Sequence, residues 1–304
     1  MVIIGSSMSY GLWVPYDQMY FAIASGELGH SCNRPVDSQN LAAPALVPIY
    51  AYRRVEEALA LKPDVVLYVV GPWDIEQKID PKDLAERNLP APTPSAPEEN
   101  RKKDKSGIRR DLRFLAETAL RDVGLDPAEI ARNPWSHIRT VVMARHFFFQ
   151  NTDLYLSTMF GDKDDYLRQP FTPAWQQRFA DFDVVLGGMA DKLRAAGVPL
   201  VVIPVPSRKE AALLSLHQMP QHIDPFAFGR RIELIASNHS ATYVDLMEPF
   251  SRIPASESLY YVADGHPTSE CQRVIAQSLV RKLQDGSIPA FSRCALQQTA
   301  EQGH

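Results

Sequence analysis

The chain contains no apolar run approaching the ~18 residues that a membrane-spanning helix needs, and no leader pattern precedes its first strand-like stretch. As it stands, it is predicted to be neither anchored nor exported. Only three cysteines occur, Cys32, Cys271 and Cys294. They are too few and too scattered for a disulfide framework, and no Cys-x-x-Cys pair offers a zinc site. They leave the compartment open. The eight histidines lack metal-ligand spacing, because Pro220 interrupts the one close pair, His217 and His222. No catalytic metal and no cofactor are expected. A formal net charge of −4, with no basic stripe and no nucleic-acid motif, gives no general attraction to nucleic acid. Internal repeats are absent too. What remains is a chain of 304 residues, 45% of them hydrophobic, enough to fill the core of one large α/β domain or two smaller ones.

The stretch around which the chain is organised comes first. Val2, Ile3 and Ile4 run straight into Gly5, Ser6 and Ser7, which reads as a buried strand ending in a tight turn with a hydroxyl at its tip. In an open parallel sheet, ligands sit beyond the carboxyl ends of the strands, so that hydroxyl stands where chemistry is done. A Gly-Ser-Ser turn alone is more often punctuation between elements. Near the other end, Asp264 and His266 lie two residues apart in a short loop ahead of a helical pattern over Cys271–Lys282. A carboxylate and an imidazole so placed are the orienting group and the base that a serine nucleophile requires.

Serine first, then Asp and His last, within these motifs, resembles the SGNH (GDSL-type) hydrolases, and among them the bacterial envelope and exopolysaccharide-associated group whose last block reads Asp-Gly-His before a helix. The family's first block, Gly-Asp-Ser-x-x-x-Gly, is similar to Gly5-Ser6-Ser7-Met8-Ser9-Tyr10-Gly11, with Ser7 in the nucleophile's place and Ser6 where aspartate is usual. The second block resembles Asn40-Leu41-Ala42-Ala43-Pro44, which puts Ala42 at the glycine whose backbone N–H serves the oxyanion. The third, Gly-x-Asn-Asp, is matched by Gly71-Pro72-Trp73-Asp74 except that Trp73 replaces the asparagine. The resemblance thus implies an oxyanion hole of the Ser7, Ala42 and Trp73 donors. For Trp73 several readings stand open: its indole N–H substitutes, Asn40 supplies the donor, the enzyme is slow, the ring stacks on sugar, or it merely packs beneath inserted chain.

In order along the chain, Leu12–Leu28 reads as a helix with Pro15 near its start, and Pro48–Leu61 as a helix with Glu56 and Glu57 on its wet face. Val65–Val70 is the clearest buried strand. Residues 76–175 are read as linker and helical insertion. The proline-rich stretch from Leu89 to Pro97 and the charged stretch from Glu98 to Lys105 lead to helical patterns over Asp111–Val123 and Ala128–Phe149. Phe147, Phe148, Phe149, Tyr155 and Trp175 need a cover, which a cap over the active site or a dimer contact would equally provide. The basic cluster Arg101–Lys105 reads as a solvated loop. Beyond it, Asp181–Ala196 reads as a helix, Leu200–Val205 as a strand, Phe226–His239 as a helix and Ala241–Met247 as the last strand. Arg208 at a strand's carboxyl end is a candidate to contact substrate or order the loop.

The expected fold is a three-layer α/β/α sandwich with a five-stranded parallel sheet, in the 2-1-3-4-5 order the family implies. Residues 1–75 and 176–285 form the hydrolase domain in this reading, and 286–304 a loose tail. The expected function is a serine esterase that removes acyl groups, acetyl foremost, from a carbohydrate or exopolysaccharide such as cellulose, through Ser7, His266 and Asp264 and an acyl-enzyme. Asn40, Trp73, Asp74 and Arg208 are the expected substrate-binding residues. An O-acyltransferase with the same triad, or a weakly active polysaccharide-binding or secretion-complex protein, are the alternatives. The resemblance further implies the periplasm or cell envelope, an N-terminal signal or anchor ahead of this chain, and partnership with a membrane-associated polysaccharide synthesis complex. The oligomeric state stays open.

Overall fold

A computed structural model describes residues 1–76, 79–92, 162–216, 219, 221–262, 264–292 and 294. Val2–Ile4 (β1), Gln39–Asn40 (β2), Val66–Val70 (β3), Leu200–Pro204 (β4) and Thr242–Tyr243 (β5) form one parallel sheet in the order β2-β1-β3-β4-β5. This is the expected α/β architecture and strand order. β3 pairs with β1 through Val66 opposite Val2, and with β4 through Val66 opposite Leu200.

The two-residue period of the strands divides the interior in two. Val2, Ile4, Val66, Tyr68, Val70, Leu200 and Val202 face one layer, with side chains of helices Pro48–Ala60, Pro173–Ala195 and Ala227–Asn238. Ile3, Leu67, Val69, Val201 and Ile203 face the other, with helices Tyr20–Ser31 and Ser269–Gln284. Both faces of the central strands are buried, which is why β1, β3 and β4 are continuous aliphatic runs rather than alternating ones.

Several boundaries differ from expectation. The helix expected over Leu12–Leu28 begins at Tyr20 and runs through Gly29 to Ser31. Gly11, at a φ of 91°, stops the short helix Ser7–Tyr10, and Pro15 heads only a single 3-10 turn, Tyr16–Gln18, so residues 11–19 form a loop. The helix expected from Asp181 starts instead at Pro173, since proline is favoured in a first turn. Its buried Trp175, Phe179, Phe182, Leu186, Met189 and Leu193 follow a three-four spacing throughout. Tyr166, Leu167 and Trp175, within the stretch read as insertion, thus pack in the core of the sandwich. Tyr166 and Trp175 are buried with ring centroids 5.3 Å apart, and Trp175 lies 5.5 Å from Phe179. Trp175 is thus covered by the core itself. A helix over Pro81–Ala85, inside the expected linker, buries Leu84.

The tail is not loose where it is described. Ile288 and Phe291 are buried, and Cys294 is disulfide-bonded to Cys32, 262 residues away. Spacing rules read close cysteine pairs and miss a bond that only the fold brings together. Cys271 is a free, buried thiol. The patterns over Asp111–Val123 and Ala128–Phe149, Phe147, Phe148, Phe149 and Tyr155, and the basic cluster Arg101–Lys105, lie outside the described residues. Among the described residues no helix is long and apolar enough to cross a membrane.

Candidate active site

The sheet changes direction between β1 and β3, because β1 leads to β2 on one side and β2 crosses to β3 on the other. A crevice opens beyond the carboxyl ends at such a point. Ser7 stands there. Gly5 permits the sharp exit from β1: a Cβ at that position would lie 2.9 Å from Ser9 Oγ and 3.2 Å from Val69 Cβ. Ser6 is extended, and Ser7 opens the helix Ser7–Tyr10.

His266 reaches Ser7 from the far end of the chain. An isolated antiparallel bridge joins Tyr260 to Pro267. Between them, Tyr261 N–H donates to His266 O and Gly265 N–H to Tyr261 O, both at 2.8 Å. The turn requires Gly265, whose φ is 77°. His266 Nε2 comes to 3.0 Å from Ser7 Oγ. Behind it, Asp264 Oδ1 accepts the His266 backbone N–H at 3.0 Å, and Asp264 Oδ2 lies 3.3 Å from Nδ1. That last pair is close enough to interact electrostatically but is not aligned as a hydrogen bond, so among the described residues Nδ1 has no bonded partner. With Nε2 as the acceptor for the serine proton, the imidazole hydrogen belongs on Nδ1, facing the carboxylate.

Arg208, expected either to touch substrate or to order the loop, is buried and donates from Nη1 to Val262 O at 3.3 Å, two residues before Asp264. Its contact is with the loop. The placement of Arg208 comes from a capping box: Ser207 Oγ accepts from Glu210 N–H at 3.1 Å while Glu210 Oε2 accepts from Ser207 N–H at 2.6 Å. Tyr166 Oη bonds Ser207 Oγ at 2.8 Å, and Lys209 pairs with Asp164. Burial pushes the Glu210 carboxyl up to about 7.

The three expected oxyanion donors are arranged differently from one another. Ser7 N–H, in the first turn of its helix, is engaged by no hydrogen bond among the described residues. Ala42 N–H donates to Asn40 Oδ1 at 3.0 Å. Trp73 Nε1 points to Ser6 Oγ at 3.4 Å rather than to open space, and its ring lies so close over Gly71 that a Cβ there would be 2.1 Å from Trp73 Cζ2. One of the two Asn40 Nδ2 hydrogens is committed, to Ser9 O at 2.8 Å. It ties the exit of β2 to the turn that carries Ser7.

Asp74, expected to touch substrate, is turned inward. Its Oδ2 accepts from Gly71 N–H at 2.8 Å. Burial raises its carboxyl to about 7, against the opposing hydrogen bonds of Gly71, Ser6 and Trp73. The half-buried Trp73 with the buried Ser6 and Asp74 was missed as a unit, as was the capping role of Glu210. Both had a signal in the sequence: an acidic residue three positions after a Gly-Pro or Ser turn is the reach-back half of a helix cap. Among the described residues, no group of three His, Cys, Asp or Glu side chains is placed to hold a metal ion. Cavities of about 390 and 720 Å³ lie beside Asp183, and neither is lined by Ser7, Asp264 or His266.

No family model and no curated protein matches the chain. Solved structures do. A lipase/acylhydrolase from Enterococcus faecalis is 11% identical with a TM-score of 0.49, over 93% of this chain and 94% of that one. An acetylxylan esterase from Geobacillus stearothermophilus is 12% identical with a TM-score of 0.47, over 94% of each chain. The protein TesA is 14% identical with a TM-score of 0.46, over 93% of this chain and 97% of that one. The likeness is one of overall fold.

Proposed function

We propose that the chain is a serine esterase that removes acyl groups, acetyl foremost, from a carbohydrate or exopolysaccharide. The observation that carries this reading is His266 Nε2 at 3.0 Å from Ser7 Oγ with the Asp264 carboxylate behind Nδ1. Ser7 Oγ attacks the ester carbonyl while Nε2 takes its proton. The carbonyl re-forms as the ester C–O bond breaks, and the departing sugar oxygen receives that proton from Nε2. Water then gives a proton to Nε2 and attacks the acyl-Ser7 carbonyl. The acid leaves, and the proton returns to Ser7 Oγ. Asp264 stabilises the imidazolium in both halves. A sugar hydroxyl in the place of water would make the same residues an acyltransferase.

The oxyanion falls first to Ser7 N–H. Ala42 N–H joins it only by releasing Asn40 Oδ1, and removal of one such donor costs ~10²–10³ in turnover. A modest turnover number follows. The same reading puts the protein in the periplasm or cell envelope, beside machinery that makes or exports the polymer. The Cys32–Cys294 disulfide supports an oxidising compartment.

The test is intact mass after treatment with a fluorophosphonate, on wild type and Ser7→Ala, alongside acetate release from a chromogenic acetyl ester. One adduct and acetate release, both lost in Ser7→Ala, are expected. A folded wild type with neither adduct nor release refutes the esterase reading.

A further inference from the structure

One surface beside Ser7 has no part in these steps. Of the seven large apolar side chains exposed among the described residues, three fall within residues 10–16: Tyr10, Trp13 and Tyr16. Tyr10 is three residues from Ser7 in the same short helix, so the two share a face. Trp13 is 71% exposed, yet its backbone sits at a φ of 66°. That left-handed conformation is unfavourable for a bulky residue, and an indole left in water recovers nothing through packing.

The segment is nevertheless held on both sides. Val14 and Met19 are buried beneath it. From the His266 loop, Tyr261 Oη donates to Trp13 O at 3.1 Å while Tyr261 N–H donates to His266 O at 2.8 Å. A single residue thus fixes Trp13 relative to the candidate base.

We infer that Tyr10, Trp13 and Tyr16 form an aromatic platform on which a sugar ring of the acylated glycan stacks, presenting its ester to Ser7. This rests on the esterase reading and gives its glycan substrate a binding surface. A sugar ring has apolar C–H faces and a hydroxyl rim. It can cover an indole or phenol ring with one face and keep its hydroxyls in water. A long aliphatic acyl chain would gain little on so exposed a ledge, where most of its own surface stays hydrated.

The experiment compares kcat/KM on 4-nitrophenyl acetate with that on acetylated oligosaccharides of xylan, cellulose and alginate. It uses wild type, Trp13→Ala, Trp13→Phe and, as a control, Leu234→Ala on helix Ala227–Asn238, whose side chain is also exposed. For Trp13→Ala the ratio of glycan to small-ester kcat/KM is expected to fall about tenfold on the preferred glycan, chiefly through KM, with Trp13→Phe restoring most of it. Leu234→Ala should leave the ratio where it was. An equal fall on both substrates would make Trp13 a structural prop and overturn the platform, and so would an unchanged ratio. If wild type shows neither adduct nor turnover, the esterase reading fails separately, and isothermal titration calorimetry with the same glycans decides the platform. A binding signal lost in Trp13→Ala supports it; no signal from any of the three, or one that survives the substitution, overturns it.

Discussion

Asp74→Asn should make the protein more stable at pH 8 and flatten the dependence of its stability on pH. The carboxyl lies buried under the Gly71 turn, where burial raises its pKa from 3.8 to about 7. A group whose folded pKa lies above its unfolded one contributes stability that is intact below the unfolded value and is lost as pH rises through the folded one. For Asp74 that window runs from 3.8 to about 7. A shift of about three units, at 1.36 kcal/mol each, amounts to a ceiling of about 4 kcal/mol, of which about 3 kcal/mol falls between pH 5 and pH 8. Glu210, raised by burial from 4.5 to about 7, loses stability over much the same window. Its share is about 3 kcal/mol by the same reckoning, so wild type should be several kcal/mol weaker at pH 8 than at pH 5. Asparagine imitates the protonated acid, because its Oδ1 can still accept from Gly71 N–H while its amide hydrogens face Ser6. Urea unfolding at the two pH values measures the effect. The drop in Asp74→Asn should be smaller than the wild-type drop by about 3 kcal/mol, leaving the part due to Glu210. An equal drop in both proteins would mean that Asp74 does not bind its proton more tightly when folded, and the linkage would be wrong.

Other expectations follow from single contacts. Gly71→Ala places a methyl 2.1 Å from Trp73 Cζ2 and should destabilise by about 1–3 kcal/mol, most of it recovered in a Trp73→Ala background; an equal cost in both backgrounds, read from urea midpoints, would locate the clash elsewhere. Thiol titration of the unreduced, denatured protein should find only Cys271, and reductant should expose Cys32 and Cys294 as well. Cys294→Ser should lower stability by about 2–5 kcal/mol, which calorimetry would register as a lower Tm. Three thiols without reductant would remove the disulfide. Asp264→Asn should lower kcat by about 10³-fold or more by losing the charge behind His266 Nδ1, whereas activity within about tenfold of wild type would leave the carboxylate no part in orienting the base.

The sheet was legible because its strands are buried on both faces and so announce themselves as β-branched runs: Val2–Ile4, Val66–Val70 and Leu200–Pro204. Ser7, Asp264 and His266 could be named together because turns at strand ends and an Asp-x-His loop constrain which residues stand there. Their convergence within hydrogen-bonding reach needed the fold. The start of the helix at Pro173 was readable from its three-four spacing but was hidden by the insertion expected around it. Trp13 gave no sign, because a left-handed φ on a tryptophan is imposed by the Val14 and Met19 anchors and by Tyr261, which is 248 residues away. The pairing of Cys32 with Cys294 has the same character. Whether Ala42 N–H is free or bonded depends on the rotamer of Asn40, which local sequence does not specify.

Two departures from the family pattern that the chain resembles, Ser6 for aspartate and Trp73 for asparagine, look independent in the sequence. In the fold they touch: Trp73 Nε1 donates to Ser6 Oγ. Asp74 is the third member, buried beside them. The Ser6 hydroxyl accepts from the indole and keeps its own hydrogen to donate. The indole in turn fills the space over Gly71, which has no Cβ to oppose it. Ser6 and Trp73 thus form one contact pair beside the buried Asp74. The Trp73 indole N–H is engaged within that pair, and the Ser7–His266 contact forms apart from it.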